Sequence, residues 1–166
     1  MSLSQTVIEL LQGFGLSPEL TVFIISLLPI LELRGGLIAA KFLGLPLLNA
    51  FLICFLGNIL PIPFILLFIQ KIFALMKKHN ILTGFINWIE EKAVKKSDSI
   101  RKGQLWGLFF FVAVPLPGTG GWTGALIASI LEIPIKKSFP AIALGVLGAG
   151  VIMITLTYFI PGFFGF

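Results

Sequence analysis

Glu32 and Arg34 stand two positions apart within an otherwise apolar stretch, in the run Pro29-Ile-Leu-Glu32-Leu-Arg34-Gly35-Gly36. Ionisable groups this deep in apolar sequence are costly, so they usually pair with one another or line a path. One chemistry open to them is transport, with Glu32 carrying a proton or cation and Arg34 offering a planar fork to a phosphate or carboxylate. The competing reading is a mutual ion pair that also satisfies loose carbonyls at a turn.

A second run, Pro115-Leu116-Pro117-Gly118-Thr119-Gly120-Gly121-Trp122-Thr123-Gly124, is too rich in proline and glycine for a regular helix. Its unpaired backbone groups cannot face lipid and must meet protein or a wet cavity. The N–H groups here, with Thr119 and Thr123, lie where a new helix would begin, which is a place that attracts an anion. Gly35 and Gly36 are expected to prepare the same geometry in the first run. The candidate substrate-binding or coupling residues are therefore Glu32, Arg34, Gly35, Gly36, Pro117, Gly118, Thr119, Gly120, Trp122 and Thr123. The plainer alternative is that the glycines allow close packing and the threonines cap helices.

Other chemistries are excluded. No Gly-Lys-Ser/Thr follows the glycines, so the run is not a nucleotide phosphate loop. With one Cys, one His and one Asp there is no zinc set, nucleophile triad or carboxylate pair. No catalytic residue, metal or cofactor is expected, and the chain does not read as an enzyme. Cys54 reads as a small core residue.

The elements that must position these residues follow from composition. Of 166 residues only 11% are charged, against about 25% in an ordinary soluble domain. Hydrophobic residues make up 57%, and mean hydropathy is +1.06. This is an all-α integral membrane protein by composition. Four apolar blocks lie near 20–44, 46–70, 105–131 and 138–160. The second and fourth can cross a bilayer, for which about 20 helical residues suffice. The first and third are broken near their centres by the two runs above. Each arm beside a break has about ten residues, or ~15 Å, half the hydrocarbon thickness. Such arms make re-entrant helical hairpins.

The blocks also repeat. A shift of 88 residues superimposes Pro29 on Pro117, Gly36 on Gly124, Pro46 on Pro134 and Gly57 on Gly145, among ten identities over 35 ungapped positions from Phe23 to Gly57. A unit of one hairpin plus one transmembrane helix crosses an odd number of times, so two such units form an inverted repeat with a site between interrupted helices. The single domain 1–166 then divides into repeat 1 at about 17–75, a linker at about 76–104 and repeat 2 at about 105–160.

Charge orients the chain. Net charge is +5, and eight of the twelve basic residues fall in 71–102, a juxtamembrane distribution that argues against nucleic acid. The positive-inside rule makes this central loop cytoplasmic. With hairpins, Lys136 and Lys137 are also inside and both termini are outside. The start, residues 1–10, lacks a basic n-region, so no signal peptide is expected. The expected location is the cell (inner or plasma) membrane, multi-pass, with membrane lipids as partners. Residues 81–94 form an amphipathic linker helix with Trp88 as a surface anchor, and Leu3, Val7, Leu10, Leu11 and Phe14 form a shorter stripe; either could instead pack on the bundle. Asn58 and Gln70 are read as hydrogen-bonding glue between helices. Ala141, Gly145 and Ala149 make a small-residue face for another helix or a second protomer, which would give a homodimer.

The Pro29–Gly36 and Pro115–Gly124 runs together resemble the paired motifs of the small multidrug export protein family, over nearly the whole chain. That family is similar to the wider DedA/VTT superfamily of membrane proteins. The resemblance implies two inverted units, each a re-entrant loop plus a transmembrane helix, and transport of an anionic lipid, such as a polyprenyl phosphate or phospholipid, or of an amphipathic small molecule, with proton coupling. Glu32 resembles the acidic residue of the first DedA hairpin motif. The second DedA hairpin usually holds arginines, whereas this chain has Pro117, Gly118 and Gly120 there, and its membrane arginine is Arg34. Two alternatives stay open: a small multidrug/proton antiporter, in which Glu32 binds cations, and a non-transporting membrane-shaping or scaffold protein, in which Glu32 and Arg34 only pair.

Overall fold

The computed structural model describes residues 9, 13, 15–88, 90–91, 105–116 and 118–160. Pro117, all five residues of the N-terminal stripe and the end of the linker helix lie outside the described residues. Among those described, the chain is helical and contains no strand.

Each broken block becomes two short helices. In the first, α1 (Pro18–Leu27) is opened by Ser17, whose hydroxyl caps the N–H of Leu20 at 3.3 Å, with Pro18 at the first helical position. It stops before Pro29, and α2 (Glu32–Phe42) follows residues 28–31. After the linker come α5 (Leu105–Ala113) and α6 (Gly121–Ile130), separated by the longer run 114–120. These arms hold nine to eleven residues each.

The other two blocks are long. α3 (Leu47–Ile59) runs on through Leu60 and Pro61, both helical in φ and ψ, into α4 (Ile62–Lys78), making 32 continuous residues. α7 (Ile135–Ile154) widens into a π-helical turn, Thr155–Phe159, for 25 residues in all. At 1.5 Å per residue these are about 48 and 37 Å long, enough to cross a ~30 Å core. Leu48, Leu52, Leu56, Leu60, Phe64, Leu67, Phe68, Ile72 and Leu75 form one exposed apolar stripe along the whole of α3–α4. Such a face has its natural partner in lipid, because a soluble protein rarely leaves so long an apolar patch uncovered.

The same cap recurs 88 residues apart. At the end of α2, Leu43 N–H bonds Ala39 O, Gly44 N–H bonds Lys41 O and Leu45 N–H bonds Ala40 O. At the end of α6, Leu131 N–H bonds Ile127 O, Glu132 N–H bonds Ser129 O and Ile133 N–H bonds Ala128 O. Gly44 (φ 70°) and Glu132 (φ 55°) take the left-handed conformation that this termination needs.

Close approaches also correspond. A Cβ on Gly57 would lie 2.8 Å from the Phe23 carbonyl of α1, and one on Gly145 would lie 2.9 Å from the Phe109 carbonyl of α5. Here the shift between arms is 86 rather than 88, since the second break is longer. Gly145 with buried Ala141 and Ala149 therefore belongs to the interior of the chain, and the neighbour that Gly145 meets is α5.

The second arm of each pair packs on the long helix of the other. α6 starts beside Asn58 and Ile62 and ends where Gln70 Nε2 donates to the Ser129 carbonyl. α2 starts near Val146 and Ala149 and ends where Lys41 Nζ donates to the Thr157 carbonyl, 5.5 Å from the centre of the Tyr158 ring. The π turn loosens the regular ladder, which leaves such a carbonyl open to a side chain. Gln70 thus acts between helices as its position suggests. In the linker, residues 83–88 are helical; Ile86 is buried, Phe85 and Trp88 point outward with stacked rings, and Lys77 pairs with Glu90 at 2.7 Å.

Candidate functional site

The break between α1 and α2 projects charged side chains, and the break between α5 and α6 receives them. Glu32 opens α2 in the left-handed region, at φ 51°, which is strained for a residue with a side chain. It is 4% exposed. Its carboxylate accepts the N–H of Gly121 at 3.2 Å and of Trp122 at 3.1 Å. These are the first N–H groups of α6, which has no side-chain cap of its own at Gly120. A carboxylate here satisfies orphan donors and meets the positive end of the helix dipole.

Arg34 does the converse at the end of α5. Its guanidinium donates to the carbonyls of Leu116 at 2.8 Å, Val114 at 3.3 Å and Val112 at 3.4 Å, and to the Thr119 hydroxyl at 3.1 Å. The planar fork suits this cluster of acceptors, and a cation is favoured where a helix ends. Thr119 Oγ1 also lies 2.8 Å from both the Val114 and Leu116 carbonyls and accepts the Leu116 N–H at 3.2 Å, so it organises the turn.

The two charges therefore do not form the mutual ion pair considered above. Among the described residues the ion pair within 4.0 Å is Lys77–Glu90. Glu32 and Arg34 reach across to the other hairpin, because two helix ends need opposite charges and a self-contained pair would leave both ends bare.

The glycines make this contact possible. Gly120 sits at φ 136°, and a Cβ there would fall 2.1 Å from Glu32 Oε2. Gly118, at φ 76°, turns the chain. A Cβ on Gly121 would lie 2.7 Å from Asn58 Oδ1. Gly35 and Gly36 serve differently: they lie inside α2, and Gly36 admits Ser26 of α1 and Cys54 of α3, with Ser26 Oγ nearest. Trp122 supplies its backbone N–H, while its indole N–H is buried without a partner. Thr123 is half-buried, and its hydroxyl makes no hydrogen bond among the described residues.

Asn58 is the member that sequence reasoning placed elsewhere. It is 2% exposed, lies against the Glu32 carboxylate, and its Oδ1 has no hydrogen-bond partner. A buried amide oxygen left unpaired is costly, which marks the position as more than packing. In sequence its signal is a lone amide within a long apolar helix, and only the fold brings it to Gly121. The crevice among Glu32, Arg34, Asn58 and Gly120 is too narrow for a water molecule.

No curated protein and no solved structure matches the chain. A family model described as "Putative small multi-drug export protein" matches residues 32–152, beginning at Glu32, directly after the first break, and taking in the second break and most of α7. The chain belongs to that small multi-drug export protein family.

Proposed function

We propose that this membrane protein is a transporter of an anionic amphiphile, such as a lipid phosphate, built from two inverted units of one re-entrant hairpin and one spanning helix. The observation that carries the proposal is the Glu32 carboxylate on the N–H groups of Gly121 and Trp122. An anion seat exists there, and the protein's own acid fills it. Protonation of Glu32 weakens it as an acceptor and frees the seat for the substrate's phosphate or carboxylate, with Arg34 as the counter-charge and Thr119 and Asn58 as polar neighbours.

The contacts support the inverted arrangement. Leu105 and Trp106, at the start of α5, share one groove with Lys136 and Lys137, at the start of α7. The end of α6 lies with Gln70 and Lys77. One hairpin thus enters and leaves by the side that carries the central segment, while α2 ends at the opposite pole, beside Thr157. Basic residues favour the first side as cytoplasmic.

The test is leaflet exchange of a fluorescent anionic phospholipid in vesicles carrying the purified protein. Arg34→Gln is expected to abolish it, and Glu32→Gln, which fixes the neutral form, is expected to make the rate insensitive to a pH gradient that changes the wild-type rate. Wild-type exchange in both variants would remove these residues from the mechanism. The family description favours a second reading, drug/proton antiport with Glu32 binding a cation directly. In that case cationic dye efflux follows the proton gradient and is lost in Glu32→Gln, while lipid exchange stays at background.

A further inference from the structure

Away from the hairpin breaks, an open groove of about 380 Å³ lies between the starts of α5 and α7. Its walls are apolar: Trp106 and Leu144 are 69% and 56% exposed, and Phe109 and Pro140 complete the surface. Lys136 and Lys137 stand at its mouth, and among the described residues neither is in a salt bridge. Both occupy the first turn of α7, which contains no acidic residue. Cations are unfavourable at that end of a helix dipole, so an anion from outside the chain relieves a repulsion the fold itself creates. Pro140 lacks the N–H that would meet the Lys136 carbonyl, leaving an acceptor at the same level. The comparable space by α4 is different, because its Lys77 is already neutralised by Glu90.

We infer that this groove seats one anionic phospholipid, with an acyl chain along Trp106, Phe109 and Leu144 and the phosphate between Lys136 and Lys137. Apolar wall and paired lysines are adjacent, as the two ends of a lipid require, and a basic pocket between membrane helices at the interface is a suitable headgroup site. A headgroup hydroxyl, as in phosphatidylglycerol, can donate to the Lys136 carbonyl. The seat is separate from Glu32 and does not depend on what the protein transports.

Native mass spectrometry of the full chain in detergent, with phosphatidylglycerol or phosphatidylcholine added, tests this. Phosphatidylglycerol is expected to give a single retained adduct that falls by roughly tenfold in Lys136→Gln/Lys137→Gln. The control Lys71→Gln/Lys78→Gln removes equal charge from exposed positions elsewhere and is expected to retain it. Inorganic phosphate at the same concentration is expected not to displace the lipid. Equal binding of phosphatidylcholine, equal loss in the control pair, displacement by phosphate, or an unchanged adduct in Lys136→Gln/Lys137→Gln would each overturn the inference. Circular dichroism and elution volume check that both double variants fold.

Discussion

The two breaks perform opposite tasks. Residues 28–31 are short and hand over to Glu32 and Arg34, side chains that reach out. Residues 114–120 are longer and offer backbone: carbonyls to Arg34, and the N–H groups that follow to Glu32. Position 32 and position 120 are 88 apart and both take positive φ, yet one is glutamate and the other glycine. A matched pair of turns has been divided into a supplier of charge and a receiver of it. Neither break is satisfied alone, which couples the two breaks through charge and backbone as well as through apolar packing.

That division can be broken most severely from the receiving side. Gly120→Ala places a Cβ on the Glu32 carboxylate in a conformation unsuited to alanine, and is expected to destabilise by about 3 kcal/mol or more. Thermal unfolding in detergent measures this, and the double variant Gly120→Ala/Glu32→Ala is expected to be less destabilised than the two single changes summed. Independent effects would mean the breaks are not coupled. Next comes the correspondence of the long helices: Gly57→Ala and Gly145→Ala are expected to cost similar amounts, about 1–3 kcal/mol each, since each meets a carbonyl of the first arm before it, in α1 and α5 respectively. A large cost at one and none at the other would end the comparison there.

Arg34→Lys sharpens the supplying side. A point charge cannot serve the Leu116, Val114 and Val112 carbonyls and the Thr119 hydroxyl at once, so a loss of about 1–2 kcal/mol is expected in the same unfolding measurement. Thr123→Val is the smallest. It is expected to stay within about 0.5 kcal/mol and to leave transport unchanged, because the hydroxyl has no hydrogen bond among the described residues to lose. A transport defect would return Thr123 to the site.

Much of this was legible in the sequence for physical reasons. Proline and glycine fix where helices stop, so the arm lengths and the positions of the breaks followed from Pro29, Pro115 and the glycines after them. Deep charges are rare, so Glu32 and Arg34 were conspicuous. What they touch was not legible, because a contact between residues about 90 apart leaves no local pattern. One clue was present: α6 begins at Gly121 after a glycine, with no Ser, Thr, Asp or Asn to cap it at position 120. A buried helix start of that kind needs an acceptor from elsewhere, and Glu32 was the buried acid on offer. Asn58 read as glue because a lone amide in a spanning helix usually bonds to a neighbouring helix. The register of α1 against α5 was obscured by the unequal breaks, which an ungapped shift of 88 cannot accommodate.

The narrow crevice among Glu32, Arg34, Asn58 and Gly120 has a consequence for proton movement. An acid and a base near the middle of a membrane are the usual material of a proton wire, and water is its conductor. With Glu32 held on two N–H groups and the crevice beside it too narrow for a water molecule, this arrangement gives a proton no water to travel on.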